Sequence, residues 1–422
     1  MKICLVSKYP PIEGQVSTIN YWLARGLAKK GHTVIVITNA YESHLTECSF
    51  TQVDDKEFYE PRFAENGGKV FVLNTKSYDK DQIFIPRNNP SVTKITNLIL
   101  IAAKKFNIEV ILTHYLEPYA IAGYMASVFL KIPHVITHSG SDIGRLLKNP
   151  HLQQTYLEII KRAHYFVPKN KIATQIPHNR HQNEDTMPFS PDGDFFNCTV
   201  LKMDINEFMV TASTYIKNEL KWHTNHFDKN KITIGVYGKL LKEKRIFELI
   251  SALGQMNSKK YPFNLVIMSR WIDGEENLRN HIENNNIADS TWLLPFIPTW
   301  KIPSFIKLCD AICYLEHDWP MPNHVTIVPK EVIACETILV TSEEVYNNRW
   351  HQKYLKDGAN CIVIKDPGNV NEIIEKLTFF FENGDFKNAA AEQYQQNSLL
   401  FAKGYKEFVN SWEKLLLDTL SP

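Results

Sequence analysis

No long apolar run occurs anywhere in these 422 residues. The longest, Leu98-Ile99-Leu100-Ile101-Ala102-Ala103, is far short of the ~20 residues a helix needs to cross a bilayer. Membrane-spanning classes are therefore not expected, although peripheral contact with a membrane through an amphipathic surface is compatible with the sequence. The apolar stretch before Lys8 is also too short for a signal peptide. Neither sign of charge is in excess, with 47 Lys and Arg against 46 Asp and Glu. A net charge of +1 gives no field of the kind nucleic-acid binding uses, so no nucleic-acid partner is expected. The seven cysteines are odd in number, scattered, and mostly set in apolar runs such as Ile3-Cys4-Leu5. That pattern predicts reduced, buried thiols and a cytoplasmic protein. No D-x-D-type metal signature stands at a strand end, and no metal or other cofactor is expected. What is present, 44% hydrophobic and 22% charged residues, is an ordinary globular composition two to three domains long.

Short β-branched runs alternate with stretches of helical period, the pattern of a parallel sheet built from βαβ units. Strands are expected at residues 2–7, 33–38, 69–74, 110–114, 134–138 and 165–167, then at 232–237, 264–268, 291–294, 311–315, 338–341 and 361–364. They are nearly continuous in Val and Ile, as strands covered on both faces should be. Between the first two, Val16, Ile19, Leu23 and Leu27 share one helical stripe, Ser17 is placed to cap the helix, and Gly31 to end it. In the second half, helices are expected near 246–256, 276–284, 300–308, 329–335 and 369–383. Residues 177–231 break this rhythm and mark a junction. The reading is α/β: two doubly wound, Rossmann-like domains facing a cleft, residues 1–197 and 198–398. A final helix, 399–422, is expected to cross back to the first domain.

Three stretches carry chemistry. The loop Tyr9-Pro10-Pro11-Ile12-Glu13-Gly14-Gln15 leaves the first strand, and a glycine before a helix lets backbone N–H groups approach a phosphate. Past the strand 232–237, Gly238-Lys239-Leu240-Leu241-Lys242-Glu243-Lys244-Arg245 places cations where a diphosphate is favoured. A polar loop runs from Glu316 through Asn323, His324, Thr326, Ile327 and Val328 to a helix starting near Pro329, with Glu331 placed to accept hydrogen bonds from vicinal hydroxyls. Singly, each has a plain explanation: a βα turn, a solvated charge run, a first-turn carboxylate.

Together, their order and spacing resemble the GT-B glycosyltransferases, and specifically glycosyltransferase family 4. The opening Pro-x-x-x-Gly followed by Leu23 to Thr38 is similar to that family's first β-α-β unit. Pro133-His134-Val135-Ile136-Thr137-His138-Ser139-Gly140-Ser141-Asp142 resembles its P-x-v-x-t-x-H-g-x-D segment. Gly238-Lys239-Leu240 with Lys244 resembles G-R-L-x-x-x-K-G, Glu331-Val332-Ile333-Ala334-Cys335 the end of the E-x(7)-E motif, and Asp357-Gly358 with Asn360 a later turn.

The resemblance implies a metal-independent transferase that moves a sugar, with retention, from a nucleotide-diphosphate-sugar donor to an acceptor the sequence does not identify. It implies catalytic roles for His138, Lys239 and Lys244, the two lysines stabilising the departing diphosphate and His138 meeting the sugar or its acceptor. Donor contacts are implied from Gly14, Gln15, Gly238, Asn323, His324, Thr326, Ile327, Val328 and Glu331, the last on the ribose. A phosphate oxygen of the leaving group is implied to take the acceptor's proton. Four positions depart from the pattern. Asn323 stands where the first Glu of E-x(7)-E belongs, and Gln15, Arg245 and Glu336 stand where glycines do. These departures leave a rival, a non-catalytic GT-B protein that binds nucleotide or glycan or supports a partner subunit.

Overall fold

The computed structural model describes residues 1–10, 12, 14–39, 66–75, 90–168, 173, 176, 189–206, 227–239, 241–256, 260–269, 275–294, 296, 297, 299–320, 325–349, 351–383 and 386–421. These form two compact units, one built from the chain up to Phe189 together with Lys406–Pro422, the other from Ser190–Tyr405.

The first unit runs β1 (Lys2–Val6), α1 (Gln15–Lys29), β2 (Thr33–Asn39), β3 (Lys69–Thr75), α2 (Ser91–Phe106), β4 (Val110–His114), α3 (Ile121–Leu130), β5 (His134–Thr137), α4 (Gly140–Leu146), α5 (Gln153–Arg162) and β6 (Tyr165–Val167). Its sheet has the order β3-β2-β1-β4-β5-β6. Every pairing is parallel, with Leu5 opposite Val36 on one side and Leu112 on the other. Helices cover both faces, which is why β1, β2 and β4 are buried nearly end to end. On one face Cys4, Val6, Ile35, Ile37 and Ile111 pack with Ile95, Ile99 and Ala102 of α2 and Ala122 and Ala126 of α3.

The second unit repeats the plan: β7 (Ile232–Tyr237), a 3-10 turn Lys242–Lys244, α6 (Ile246–Gln255), β8 (Phe263–Met268), α7 (Glu275–Asn284), β9 (Thr291–Leu294), α8 (Ile302–Leu308), β10 (Ala311–Tyr314), α9 (Val328–Ala334), β11 (Ile338–Ser342), α10 (Glu343–Tyr346), β12 (Cys361–Ile364) and α11 (Val370–Glu382). The order β12-β11-β10-β7-β8-β9 is again all parallel. Both sheets start in the middle, wind outward, then cross over, so their topological switch points lie between β1 and β4 and between β7 and β10.

All twelve expected strands are present. Two local expectations are corrected. Ser17 does not cap α1: the cap is Gly14, at φ 113°, no side chain caps the helix, and Ser17 is buried inside it. The last helix, α12 (Phe386–Leu420), begins well before 399; the sequence reading missed the added turns because their apolar spacing is weak. From Lys406 onward it belongs to the first unit, where Glu413 meets Lys30 and, at 2.7 Å, His32 Nε2. Five cysteines, Cys4, Cys309, Cys313, Cys335 and Cys361, are free and buried, while Cys198 is free and exposed; Cys48 lies outside the described residues. No described helix is long and apolar enough to cross a membrane.

Candidate functional site

The strand ends at the second unit's switch point carry a layered polar network. Tyr237, the last residue of β7, donates its hydroxyl to Glu331 Oε2 at 2.8 Å. Glu331 sits in the first turn of α9 and is buried, and its other oxygen, Oε1, has no partner among the described residues. Burial pushes this carboxyl up to about 7, with the Tyr237 hydrogen bond opposing. An acid placed there is poised to receive hydroxyl donors, since they supply the solvation that burial removed.

Past the end of β10, Glu316 lies 3% exposed and pairs with Lys244 at 3.0 Å. Tyr314 joins them: its hydroxyl donates to Glu316 Oε2 at 2.6 Å and accepts from Lys244 Nζ. Desolvation pulls the Lys244 ammonium below its ordinary value, while the Glu316 charge and hydrogen bond hold it up. The pair is geometrically well formed, so we read Lys244 as a cation whose charge Glu316 shares. Lys239, by contrast, is exposed just beyond Gly238, and Gly238 is fixed by its N–H to Met268 and its carbonyl to Ser269 Oγ at 2.7 Å.

The loop entering α9 is pinned by the buried His351, whose Nε2 stands 3.0 Å from Thr326 O and whose Nδ1 stands 3.0 Å from Val345 O. Burial pulls this ring down to about 4. Thr326 Oγ1 accepts from Val328 N at 3.4 Å, so one N–H expected at the phosphates already has a local acceptor. Ile327 is the cap residue of α9. Asn323 and His324 lie outside the described residues, as do Pro11 and Glu13 of the first loop. Of the three residues that stand where the resemblance has glycines, Arg245 at φ 52° and Glu336 at φ 54° keep a left-handed backbone, while Gln15 is the first residue of α1.

At the first unit's switch point, Gly14 and Gln15 open α1. His138 is fully buried, stacked on Phe166 with centroids 5.4 Å apart and its Nδ1 3.1 Å from Ser139 O. Asp142, 3.7 Å from that ring, accepts the Leu116 N–H at 3.0 Å. Tyr115, between the strand and the following turn, has φ 85° and ψ 145°, a region costly for any residue with a Cβ.

The structure thus brings Lys244 and Glu331 to the same strand ends of one sheet, and Gly14 and His138 to those of the other. Sequence reading missed Tyr237, Tyr314 and His351. The first two end strands β7 and β10, so a tyrosine closing each switch-point strand was the available signal.

Residues 217–397 match the family model described as glycosyl transferases group 1. Comparison with curated protein sequences gives no match. Among solved structures, the chain is similar to sucrose-phosphate synthase from Thermosynechococcus elongatus, at 13% identity and TM-score 0.63 with 99% of each chain covered. It is similar to a glycosyltransferase from Rickettsia africae, at 14% identity and TM-score 0.61 over 99% of this chain and 98% of that one. Anabaena HepE, solved in complex with UDP-glucose, aligns at 14% identity and TM-score 0.57 over 97% of this chain and 100% of that one. Identities this low speak to architecture, and the architecture, two parallel six-stranded sheets of identical winding, is the GT-B fold.

Proposed function

We propose that this protein is a cytoplasmic, retaining glycosyltransferase of the family 4 type, moving a sugar from a nucleotide-diphosphate donor to an acceptor without a metal ion. The observation that carries the donor part is Glu331: one oxygen held by Tyr237, the other buried and unpartnered among the described residues, within the segment matched by the group 1 model. A ribose with vicinal hydroxyls satisfies that oxygen. Lys239 and Lys244 supply positive charge where negative charge builds on the departing diphosphate, the role preorganised electrostatics plays in such reactions. That HepE was solved with UDP-glucose makes a uridine diphosphate sugar the first donor to try.

A thermal-shift series with UDP-glucose, GDP-mannose and ADP-glucose tests the reading, because a ligand that binds only the folded state raises its stability. At least one donor should raise the unfolding midpoint. Ribose hydroxyls favour ionised Glu331, so affinity for that donor should fall as pH drops through about 7. Glu331→Ala should weaken binding about tenfold or more. If none of the nucleotide sugars stabilises the protein, the donor reading fails. Transfer should survive excess chelator, and the product's anomeric configuration, read by NMR, should match the donor's.

A further inference from the structure

The end of the first unit's sheet where the strands begin, opposite the candidate site residues of that unit, carries a surface of its own. Helix α2 stops three residues before β4, and α3 stops three residues before β5. Strands β4 and β5 are parallel neighbours, with Ile111 opposite His134, so the two helices run the same way and their last turns lie side by side. Both helices pack on one face of the sheet, and Thr96 Oγ1 of α2 lies 3.4 Å from Ala122 O of α3. Two helical turns on from that contact, Phe129 of α3 stands level with Ala103 of α2, beside Lys104.

These last turns expose apolar groups. Phe129 is 62% exposed, Val128 56% and Ile101 49%. Single apolar residues scattered over a surface need no explanation, but three large ones on two adjacent helix ends make a patch. The charges bordering it are of one sign. Lys104 and Lys105 lie in the last turn of α2, Lys131 caps α3, and all three are exposed. Neither helix contains an Asp or a Glu, and Glu109, past the end of α2, accepts the Lys2 N–H at 2.6 Å. Lysines near a helix C-terminus also balance the helix dipole, but that leaves the bare Phe129 and Val128 unexplained.

We propose that this face docks on the surface of an anionic lipid bilayer. Phe129, Val128 and Ile101 enter the boundary between headgroups and acyl chains, where their apolar area leaves water. The three ammonium groups meet lipid phosphates, while the lysine stems lie along the apolar layer. The two contributions act together, because the patch is small and each lysine near an anionic surface strengthens binding only about fivefold. A second copy of this chain fits the face less well: a two-fold interface would set the same lysines against one another, and like charges repel. The inference stands apart from the glycosyl-transfer reading, since none of these residues belongs to the candidate site.

Vesicle flotation of the full chain tests it. Vesicles of phosphatidylcholine with phosphatidylglycerol should carry the protein, and phosphatidylcholine alone should bind it about tenfold more weakly or worse. Binding to the mixed vesicles should weaken as salt is raised, because exposed charges are screened. Lys104→Glu combined with Lys105→Glu and Lys131→Glu should lower the affinity about a hundredfold or more. Phe129→Ser combined with Val128→Ser should lower it about tenfold or more at every salt concentration. Both variants change only exposed side chains, so their unfolding midpoints should stay near that of the wild type. No binding to the mixed vesicles, or binding that neither variant weakens, overturns the proposal. So does a concentration-dependent dimer that the Phe129→Ser variant dissolves and that binds no vesicle, which gives the face to a second copy. The thermal shift produced by a nucleotide sugar should be the same in the lysine variant as in the wild type, so failure of the docking and failure of the donor reading are read separately.

Discussion

The ammonium of Lys244 is already shared before any donor arrives. Glu316 and Tyr314 hold it at the strand ends, so a diphosphate reaching Lys244 also meets the Glu316 carboxylate, and like charges a few ångströms apart repel. Glu316→Gln should therefore tighten binding of the nucleotide diphosphate by about tenfold. Isothermal calorimetry reads this directly, and weaker binding would mean that Glu316 grips the donor itself. Lys244→Ala should cut turnover about a hundredfold, in the range seen for lost electrostatic stabilisers. It should also destabilise the fold by about 3 kcal/mol, since Glu316 would remain buried without its partner. Lys244→Met combined with Glu316→Gln should restore the unfolding midpoint but not turnover, separating the two effects. Glu331 obeys the opposite pH logic to a paired carboxylate. Its folded value, about 7, is raised above the ordinary 4.5, so its contribution to stability is full below about 4.5 and is lost as pH rises through about 7. Glu331→Gln should accordingly gain on the wild type across that window in the absence of ligand.

At the scale of elements, backbone geometry explains which departures from the glycosyltransferase pattern matter. Arg245 and Glu336 occupy left-handed conformations at the ends of a 3-10 turn and of α9, each at a cost of roughly 1 kcal/mol to a residue with a Cβ. Arg245 recovers part of that through ion pairs with Asp318 at 2.6 Å and Glu248 at 3.2 Å. Glu336 is the cleaner test: Glu336→Gly should raise stability by about 0.5 kcal/mol, seen as a higher denaturant midpoint. Strand β7 presents the reverse case. A Cβ on Gly235 would come within 2.4 Å of Cys309 Sγ and 2.6 Å of Ile312 Cδ1. Gly235→Ala should cost about 2 kcal/mol by overpacking, and should weaken donor binding as well if β7 shifts and carries Tyr237 away from Glu331.

For the molecule as a whole, the last helix ties sequence ends together within the first unit. Glu413 receives Lys30 and His32, and His32 Nδ1 in turn lies 3.1 Å from the Met1 amino group. Burial alone would raise the Glu413 carboxyl, but these hydrogen bonds and charges hold it below its ordinary value. A lowered carboxylate stabilises the fold above its unfolded value, and that contribution disappears as pH falls through the folded one. The difference in unfolding midpoint between wild type and Glu413→Gln should be present near neutrality, about 1 kcal/mol or less for so exposed a pair, and vanish in acid.

The alternation of continuous Val/Ile strands with helical stripes was enough to place all twelve strands, because a strand covered on both faces leaves no polar alternation in the chain. Alternation alone did not single out Lys244 and Glu331: read singly they are a solvated charge run and a first-turn carboxylate, and only the order of motifs resembling the glycosyltransferases pointed to them. Nothing in that order revealed that Glu316 pairs with Lys244, that Tyr237 holds Glu331, or that Asn20 reaches His114. The three pairs are separated by 72, 94 and 94 residues, and hydrogen-bond partners have no sequence period. Winding was written in local hydrophobicity; which charge meets which, and which buried hydroxyl meets which carboxylate, only the packed strand ends decided.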